Sequence, residues 1–528
     1  MSPAVSAPGG PDAADDRYAL VVDLGTGGPK VGLVSLRGTM VWTEHQPVAT
    51  RHGPGGGATQ DAEQWWQLIS AAARRAIGSG RVPVRSIVAV SCTGQWSSTV
   101  PVDQAGHPVG PCLLWSDSRG SPFVRAAIGG PVGGYSPTAL ARWIRRSGGV
   151  PSLSGADPVG HISFLEQSDP SVAAAARWYL EPVDYLSMRF TGVATASPAS
   201  MAGAWLTDNR HPDHQRYDPV LIEAARVPAE KLAPLVPTAS VIGPVRPEVA
   251  EDLGLGPDVV VVAGTPDLHS AAAGSGAVLA HQAHLAISTT SWVSCPLARK
   301  KTDPIRQMAT VPGFVPGLNL VANNQESGGA ALEWMRRSLG DEDGPWSYDQ
   351  LTELAARSHP GSGGVVFTPW LAGERSPVAD RSARGGFHNL SLRTEQADLV
   401  RAVMEGVALN SRWLSESLEK FVGRRFEAIR VIGGGARSDL WCSIYADVLD
   451  RPIEQVEDPV HANLRGSALL AGMALGRVSP EEVRSLVPVA AVYHPHPDSR
   501  ELYRRHLAAF TDLYRAQRQM FKRLNRTR

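Results

Sequence analysis

Apolar positions along this chain fall into two alternating patterns. Short continuous runs such as "YALVVDLGT" from Tyr18 and "KVGLVSLRGTMVW" from Lys30 predict two buried strands joined by a glycine turn, a hairpin that opens a domain. "DAEQWWQLISAAARRAI" then takes helical spacing, with Asp61 placed as N-cap and Gln64 three residues later. "SIVAVSCTGQ" predicts another strand that ends in a glycine turn. Strands alternating with helices predict an α/β fold with its site at strand ends.

Residues 120 to 260 read as mixed helix and loop, rich in Pro and Gly, with short helices such as "PVDYLSMRF". A strand, "DVVVVAG", leads into "TPDLHSAAAGSGAV", read as a loop and then a helix of small residues suited to close packing between two halves. From about residue 280 the plan begins again. "HLAISTTSWVSC" repeats the opening hairpin, and "AIRVIGGGARSDLWCSIYADVL" repeats strand, glycine turn and helix. The chain therefore divides into a disordered leader over 1–16, an N-terminal half over 17–279 and a related C-terminal half over 280–528. The unequal spacing of corresponding elements means insertions rather than a short-period solenoid. The last helix places Tyr503, Leu507, Phe510, Tyr514 and Phe521 near one face, which packs on a domain and leaves a solvated basic face.

Composition narrows the class. A length of 528 residues calls for two domains or one duplicated architecture. With 51 Lys+Arg against 51 Asp+Glu, the charge balance argues against a polyanionic partner, and we expect no nucleic-acid binding. No apolar run reaches the roughly 18 residues of a membrane span, and the N-terminus lacks the basic and apolar regions of a signal peptide, so we expect no membrane association. Cys92, Cys112, Cys295 and Cys442 form no CxxC pair, which argues against a metal knuckle or a disulfide framework and fits a reducing cytoplasm.

Four stretches carry candidate chemistry. In "DLGTGGPK", glycines let backbone N–H groups approach phosphate oxygens, Thr26 and Lys30 add donors, and Asp23 suits Mg²⁺; the plain alternative is a Gly-rich hairpin with a solvated Asp. In "GTPDLHS", Asp267 sits just past a strand, as a general base for phosphoryl transfer or as a helix N-cap. "GGGARS", Gly433 to Ser438, follows a strand and opens a helix, suiting a nucleotide base or ribose phosphates, or simply making a tight turn. The hydroxyls of "ISTTSW" suit phosphate or an ordinary strand edge.

Taken in order, "DLGTGGPK", "GQWSSTVPVDQAGHPVGPCLLWSDSRG", "GTPDLH", "STTSW", "ESGGAALEWM", "FTPWLAGERSPVADRSARGGFHNLSLRTEQADLVRAVMEGVAL" and "GGGARSDLWCSIYADVL" resemble a sugar kinase of the FGGY carbohydrate kinase family, nearest in pattern to the xylulokinases. The similarity covers nearly everything from Tyr18 to Gly476. It implies an actin-like fold of two ribonuclease-H-like domains, with ATP and sugar in the cleft between them. By this resemblance Asp23 helps hold Mg²⁺, Gly25, Thr26 and Lys30 lie near the transferred phosphate, and Asp267 is the base. Thr289 contacts ATP phosphates, while Gly329, Gly434 and Ser438 line the nucleotide pocket. Gln95, Trp96, Ser97 and Asp117 face a small sugar or polyol, a ketopentose such as xylulose, whereas Trp115 and Arg119 read as structural. A homodimer is a family-level expectation.

The pattern also departs from the family. Gln95-Trp96-Ser97-Ser98 stands where xylulokinases usually carry Gln-Met-His-Gly, Leu268 replaces an Asn after the base, and Gly27 replaces a Ser or Thr. A pocket that discriminates by matched hydrogen bonds is altered by such changes. A nucleotide-binding regulator on the same fold is the competing reading; a chaperone-type ATPase would call for a substrate domain beyond the core.

Overall fold

The computed structural model describes residues 17–212, 215–340 and 344–525. The expected leader, 1–16, lies outside them.

The N-terminal half opens with β1 (Tyr18–Gly25), β2 (Gly28–Ser35) and β3 (Met40–His45), then α1 (Ala62–Gly78) and β4 (Ile87–Gly94). The run expected as a single strand from Lys30 to Trp42 is broken in two. Gly38, at φ 94°, turns the chain so that Ser35 N–H bonds Thr39 O, and β3 folds back along β2. Asp61 caps α1 as expected, accepting from the Glu63 and Gln64 N–H groups. Further along come α2 (Pro182–Thr191), β5 (Val241–Pro244), β6 (Val260–Pro266) and α3 (Asp267–Ser275). The loop expected before this last helix is absent: Pro266 occupies the cap position in extended backbone, and Asp267 is already the first helical residue.

The second half contains β7 (Ala283–Ile287), β8 (Ser291–Ser294), α4 (Gly329–Ser338), α5 (Gln396–Val422), β9 (Ile429–Ile432) and α6 (Asp439–Leu449). It closes with β10 (Ile453–Val456), α7 (Ala462–Ala474), β11 (Val489–Tyr493) and α8 (Ser499–Leu524). Tyr503, Phe510, Tyr514 and Phe521 of α8 are buried against the core of this half, and Leu507 packs beside them.

The two sheets share a core arrangement of strands. In the first the order is β5-β6-β4-β1-β2-β3, and in the second β11-β10-β9-β7-β8. Each has an antiparallel hairpin, two strands added parallel to its first arm, and an antiparallel edge. The edge strand precedes its neighbour in the first half and follows it in the second.

Each half also lends a helix to the other. Leu464, Ala468 and Ala471 of α7 pack on Ala19, Val21, Ala89 and Val262 of the first sheet. Leu268, Ala271 and Ala272 of α3 join Ala286, Ile432 and Val456 of the second. Ser91 on β4 and Ser467 on α7 add a buried hydroxyl pair at 2.8 Å. The small residues of α3 therefore serve the close packing between halves that the sequence predicts.

Candidate active site

Parallel pairing sets the first cluster. Asp23 lies in register with Thr93, and Thr93 with Thr265, so the ends of β1, β4 and β6 share one edge of the sheet. Asp23 and Asp267 rise from that edge with β4 between them. Gly94 permits the arrangement: a Cβ there would stand 2.4 Å from the Leu24 carbonyl.

The β1–β2 turn is compact. Gly25 pairs with Gly28, and Asp23 with Lys30, whose Nζ stands 3.6 Å from Asp23 Oδ2. Gly28 has φ 121°, and a Cβ on it would lie 2.0 Å from the Gln46 carbonyl, so no other residue fits. Thr26 is a junction. Its carbonyl accepts from Gln60 Nε2 at 2.8 Å, its hydroxyl accepts from the Trp115 indole N–H at 3.0 Å, and it donates to Gln95 Oε1 at 3.4 Å.

Asp267 keeps most of its lone pairs free. Its Oδ1 accepts from Leu268 N–H at 2.8 Å, and no lysine or arginine among the described residues pairs with it. Burial, and then the charge of Asp23, push its carboxyl up to about 7. Asp267 and the Asp23 carboxylate that raises its proton affinity are a donor set that a divalent cation relieves. The described residues hold no cluster of three His, Cys, Asp or Glu, so a cation here would take substrate phosphates and water as its remaining ligands.

Beside Asp267 lies the loop after β4. Gln95 is buried, its N–H bonded to Leu24 O, and its Nε2 has no protein partner. The Trp96 indole donates to Ser200 O at 2.8 Å and meets the His269 ring edge-on, with centroids 6.2 Å apart. Leu268 is buried against an apolar cluster that Trp96, Trp205 and Trp292 flank.

The second cluster occupies the matching edge of the other sheet. Gly328 and Ala330 donate backbone N–H groups to Thr289 O, and Gly329 donates to Ser288 O at 2.6 Å, fixing the Ser288–Thr290 turn with the Thr289 side chain exposed. Gly433 has φ 91°, and a Cβ on it would meet Ile287 O and the Ser288 hydroxyl within 2.8 Å. Gly434 faces open space. Ser438 caps α6 by accepting from Trp441 N–H, which leaves its hydroxyl hydrogen free to donate. Thr289 and Gly329 thus meet at the Ser288–Thr290 turn after β7, Gly434 and Ser438 follow β9, and α3, which begins at Asp267, packs on both strands.

Two residues depart from the sequence reading. Asp117 is fully buried, and its carboxylate is taken up by Ala58 N–H at 2.8 Å and by Arg119 through its backbone N–H, Nε and Nη2, so it is a loop anchor with no oxygen left for a sugar. Trp115, read as structural, is partly exposed and hydrogen-bonded to Thr26 at the cluster itself. Its only sequence signal is its place just before that anchor.

A duplicated α/β core with an acidic pair and glycine turns at matching sheet edges defines a two-domain phosphotransferase of the actin-like ATPase fold. Known proteins agree. The N-terminal domain model of the FGGY family of carbohydrate kinases matches residues 18–274, and its C-terminal domain model matches residues 289–475. A xylulose kinase of Staphylococcus epidermidis is 26% identical over 505 residues, covering 95% of this chain and 97% of that protein. A gluconokinase of Bacillus subtilis is 23% identical over 510 residues, covering 94% and 96%. The crystal structure of a xylulose kinase from Rhodospirillum rubrum superposes with a TM-score of 0.80 at 26% identity, covering 96% of this chain and all of that one (100%). The chain belongs to the FGGY family of carbohydrate kinases. It is a carbohydrate kinase that uses ATP with a metal ion on a small sugar substrate. Among the described residues no helix is long and apolar enough to cross a membrane.

Proposed function

We propose that this kinase transfers the terminal phosphoryl group of ATP to a hydroxyl of a ketopentose such as xylulose, with Asp267 as general base and Mg²⁺ as the metal. The observation that carries the reading is Asp267 itself: a strand-end carboxylate beside Asp23, without a cationic partner among the described residues, its own carboxyl raised toward neutral pH.

In this reading the acceptor hydroxyl gives its proton to an Asp267 oxygen while its own oxygen bonds the terminal phosphorus, and the bond to the bridging oxygen breaks to release ADP. Asp23 would hold the metal, directly or through water; when bound, the ion neutralises phosphate charge. Lys30, the Thr26 hydroxyl and the Gly25 backbone serve the transferred phosphoryl group. Thr289 serves the remaining phosphates, and Gly329, Gly434 and Ser438 form the nucleotide pocket. On the acceptor side stand Gln95, with an unpaired amide nitrogen, Trp96 and Ser97; Asp117 leaves this set because its carboxylate is already engaged. The acceptor half is 17–279 and the nucleotide half 280–528. A reducing cytoplasm belongs to the same reading, supported by four free buried thiols, as does a homodimer, supported by the family resemblance alone.

The test is ADP release by the purified protein with Mg-ATP across ketopentoses, pentitols, tetritols, glycerol, gluconate and 6-deoxy-ketohexoses. A ketopentose is expected to raise the rate far above the sugar-free background. A response confined to gluconate would keep the chemistry and overturn the acceptor, and no response to any would overturn the reading.

A further inference from the structure

The loop that carries Trp96 and Ser97 leans on a buried carboxylate that the chemistry above does not use. Ser97 sits at φ 61°, a left-handed backbone that a side-chain-bearing residue keeps only when its surroundings enforce it. Glu181 supplies the enforcement. Its Oε2 accepts from Ser98 N–H at 3.2 Å, and the Ser97 backbone N–H faces the same carboxylate. Glu181 occupies the N-cap place of α2 but makes no side-chain bond to that helix, so the carboxylate is spent on the loop instead.

One turn along, Asp184 lies beside Ser200, whose hydroxyl donates to Ser197 O and whose carbonyl receives the Trp96 indole N–H at 2.8 Å. The first turn of α2 thus grips the loop through the Ser98 N–H, while the Ser200 carbonyl holds the Trp96 indole. Both carboxyls are buried, and each keeps one oxygen, Glu181 Oε1 and Asp184 Oδ2, without a partner among the described residues. Two neighbouring interior carboxyls with unpaired oxygens cost stability, and an apolar residue at 181 would fill the space without that cost.

We propose that Glu181 is a positioning residue for the acceptor: it locks Ser97 in its left-handed turn so that Gln95, Trp96 and Ser97 meet the sugar as a preset surface. The inference rests on the reading of that loop as the acceptor site. Preset geometry spares the loop's ordering cost on binding, so its loss falls on acceptor affinity rather than on the nucleotide.

The test uses the full chain with Mg-ATP and xylulose, gluconate serving in parallel, and compares Glu181→Leu, Glu181→Gln and Trp96→Ala. Glu181→Leu leaves the buried Ser98 N–H without its acceptor and is expected to raise the acceptor KM about tenfold or more. The KM for ATP and the sugar-free hydrolysis rate stay unchanged. Glu181→Gln keeps a carbonyl oxygen for the Ser98 N–H and stays near wild type. Ser97→Gly, which relaxes the left-handed strain, restores part of the loss in the Leu background. Equal rises in both KM values, a Gln variant as impaired as Leu, or no effect of Leu while Trp96→Ala raises the acceptor KM would each overturn the role of Glu181. If Trp96→Ala changes nothing, the acceptor reading is what falls. Should wild type turn over neither sugar, amide exchange at Ser97 and Ser98 still decides the hold itself: faster in the Leu variant supports it, unchanged overturns it.

Discussion

The indole N–H of Trp115 donates to the Thr26 hydroxyl at 3.0 Å, tying the loop before the Asp117 anchor to the glycine turn of the first hairpin. The same hydroxyl reaches Gln95, so one threonine joins three segments distant in sequence. Trp115→Phe keeps a ring and removes the donor. It is expected to lower kcat/KM for the acceptor about five- to tenfold, the worth of one hydrogen bond of about 1 kcal/mol, with the melting temperature unchanged because the ring is partly exposed. A wild-type value of kcat/KM would show that the contact positions nothing.

Asp267→Asn preserves volume and the oxygen that accepts from Leu268 N–H while removing the base. Turnover is expected to fall about 10²- to 10⁴-fold. ATP affinity, measured by calorimetry in the absence of sugar, stays close to wild type. A variant with near-normal turnover would remove Asp267 from its role.

Much of the candidate site can be proposed from the chain because it sits where short-range signals are strongest. Asp23 lies near the end of β1, Asp267 and Gly433 directly follow an apolar strand, and strand ends of an α/β sheet are where its chemistry collects. Asp117 and Glu181 were not legible, for a physical reason. A carboxylate reads the same in sequence whether it faces a sugar, an arginine or a backbone N–H, and only packing reveals that Arg119 engages the first and that the second stands beside Ser98, 83 positions earlier. The loop expected before α3 failed on a local rule: proline is a turn signal, yet Pro266 here ends a strand and starts a helix in a single step.

Gly274 on α3 and Gly466 on α7 set how closely the two halves approach. A Cβ on Gly466 would lie 1.8 Å from Ser270 O, and one on Gly274 1.8 Å from Ala462 O. Alanine normally favours a helix over glycine by about 1 kcal/mol. Here the clash with backbone reverses the sign, and Gly466→Ala is expected to destabilise by about 1–3 kcal/mol or more in urea unfolding. Gly78→Ala, at the open end of α1 with nothing near its Cβ, serves as the control and is expected to be neutral or slightly stabilising. If Gly466→Ala matched that control, the helices would have room to part without loss.

His284 tests the second core by pH. It is fully buried on β7, in register with Arg430 of β9 and Ser294 of β8, and neither ring nitrogen has a protein partner. Burial pushes it down to about 3. Between that value and its ordinary one of about 6.5, the unfolded chain holds a proton that the folded chain does not, so this group makes stability rise with pH by about 1.4 kcal/mol per unit. Its contribution is complete above about 6.5 and is lost as pH falls. Buried carboxyls act in the opposite sense. Glu374, pushed up to about 7, and Asp157, up to about 6, hold protons in the folded state and lower stability as pH rises toward those values. The wild-type profile therefore mixes both, and the difference from His284→Met isolates the histidine. In urea unfolding the two proteins are expected to run parallel above about pH 6.5 and to diverge below it, the methionine variant gaining by up to about 2 kcal/mol at pH 5. Parallel curves throughout would mean that His284 takes up its proton in the folded core.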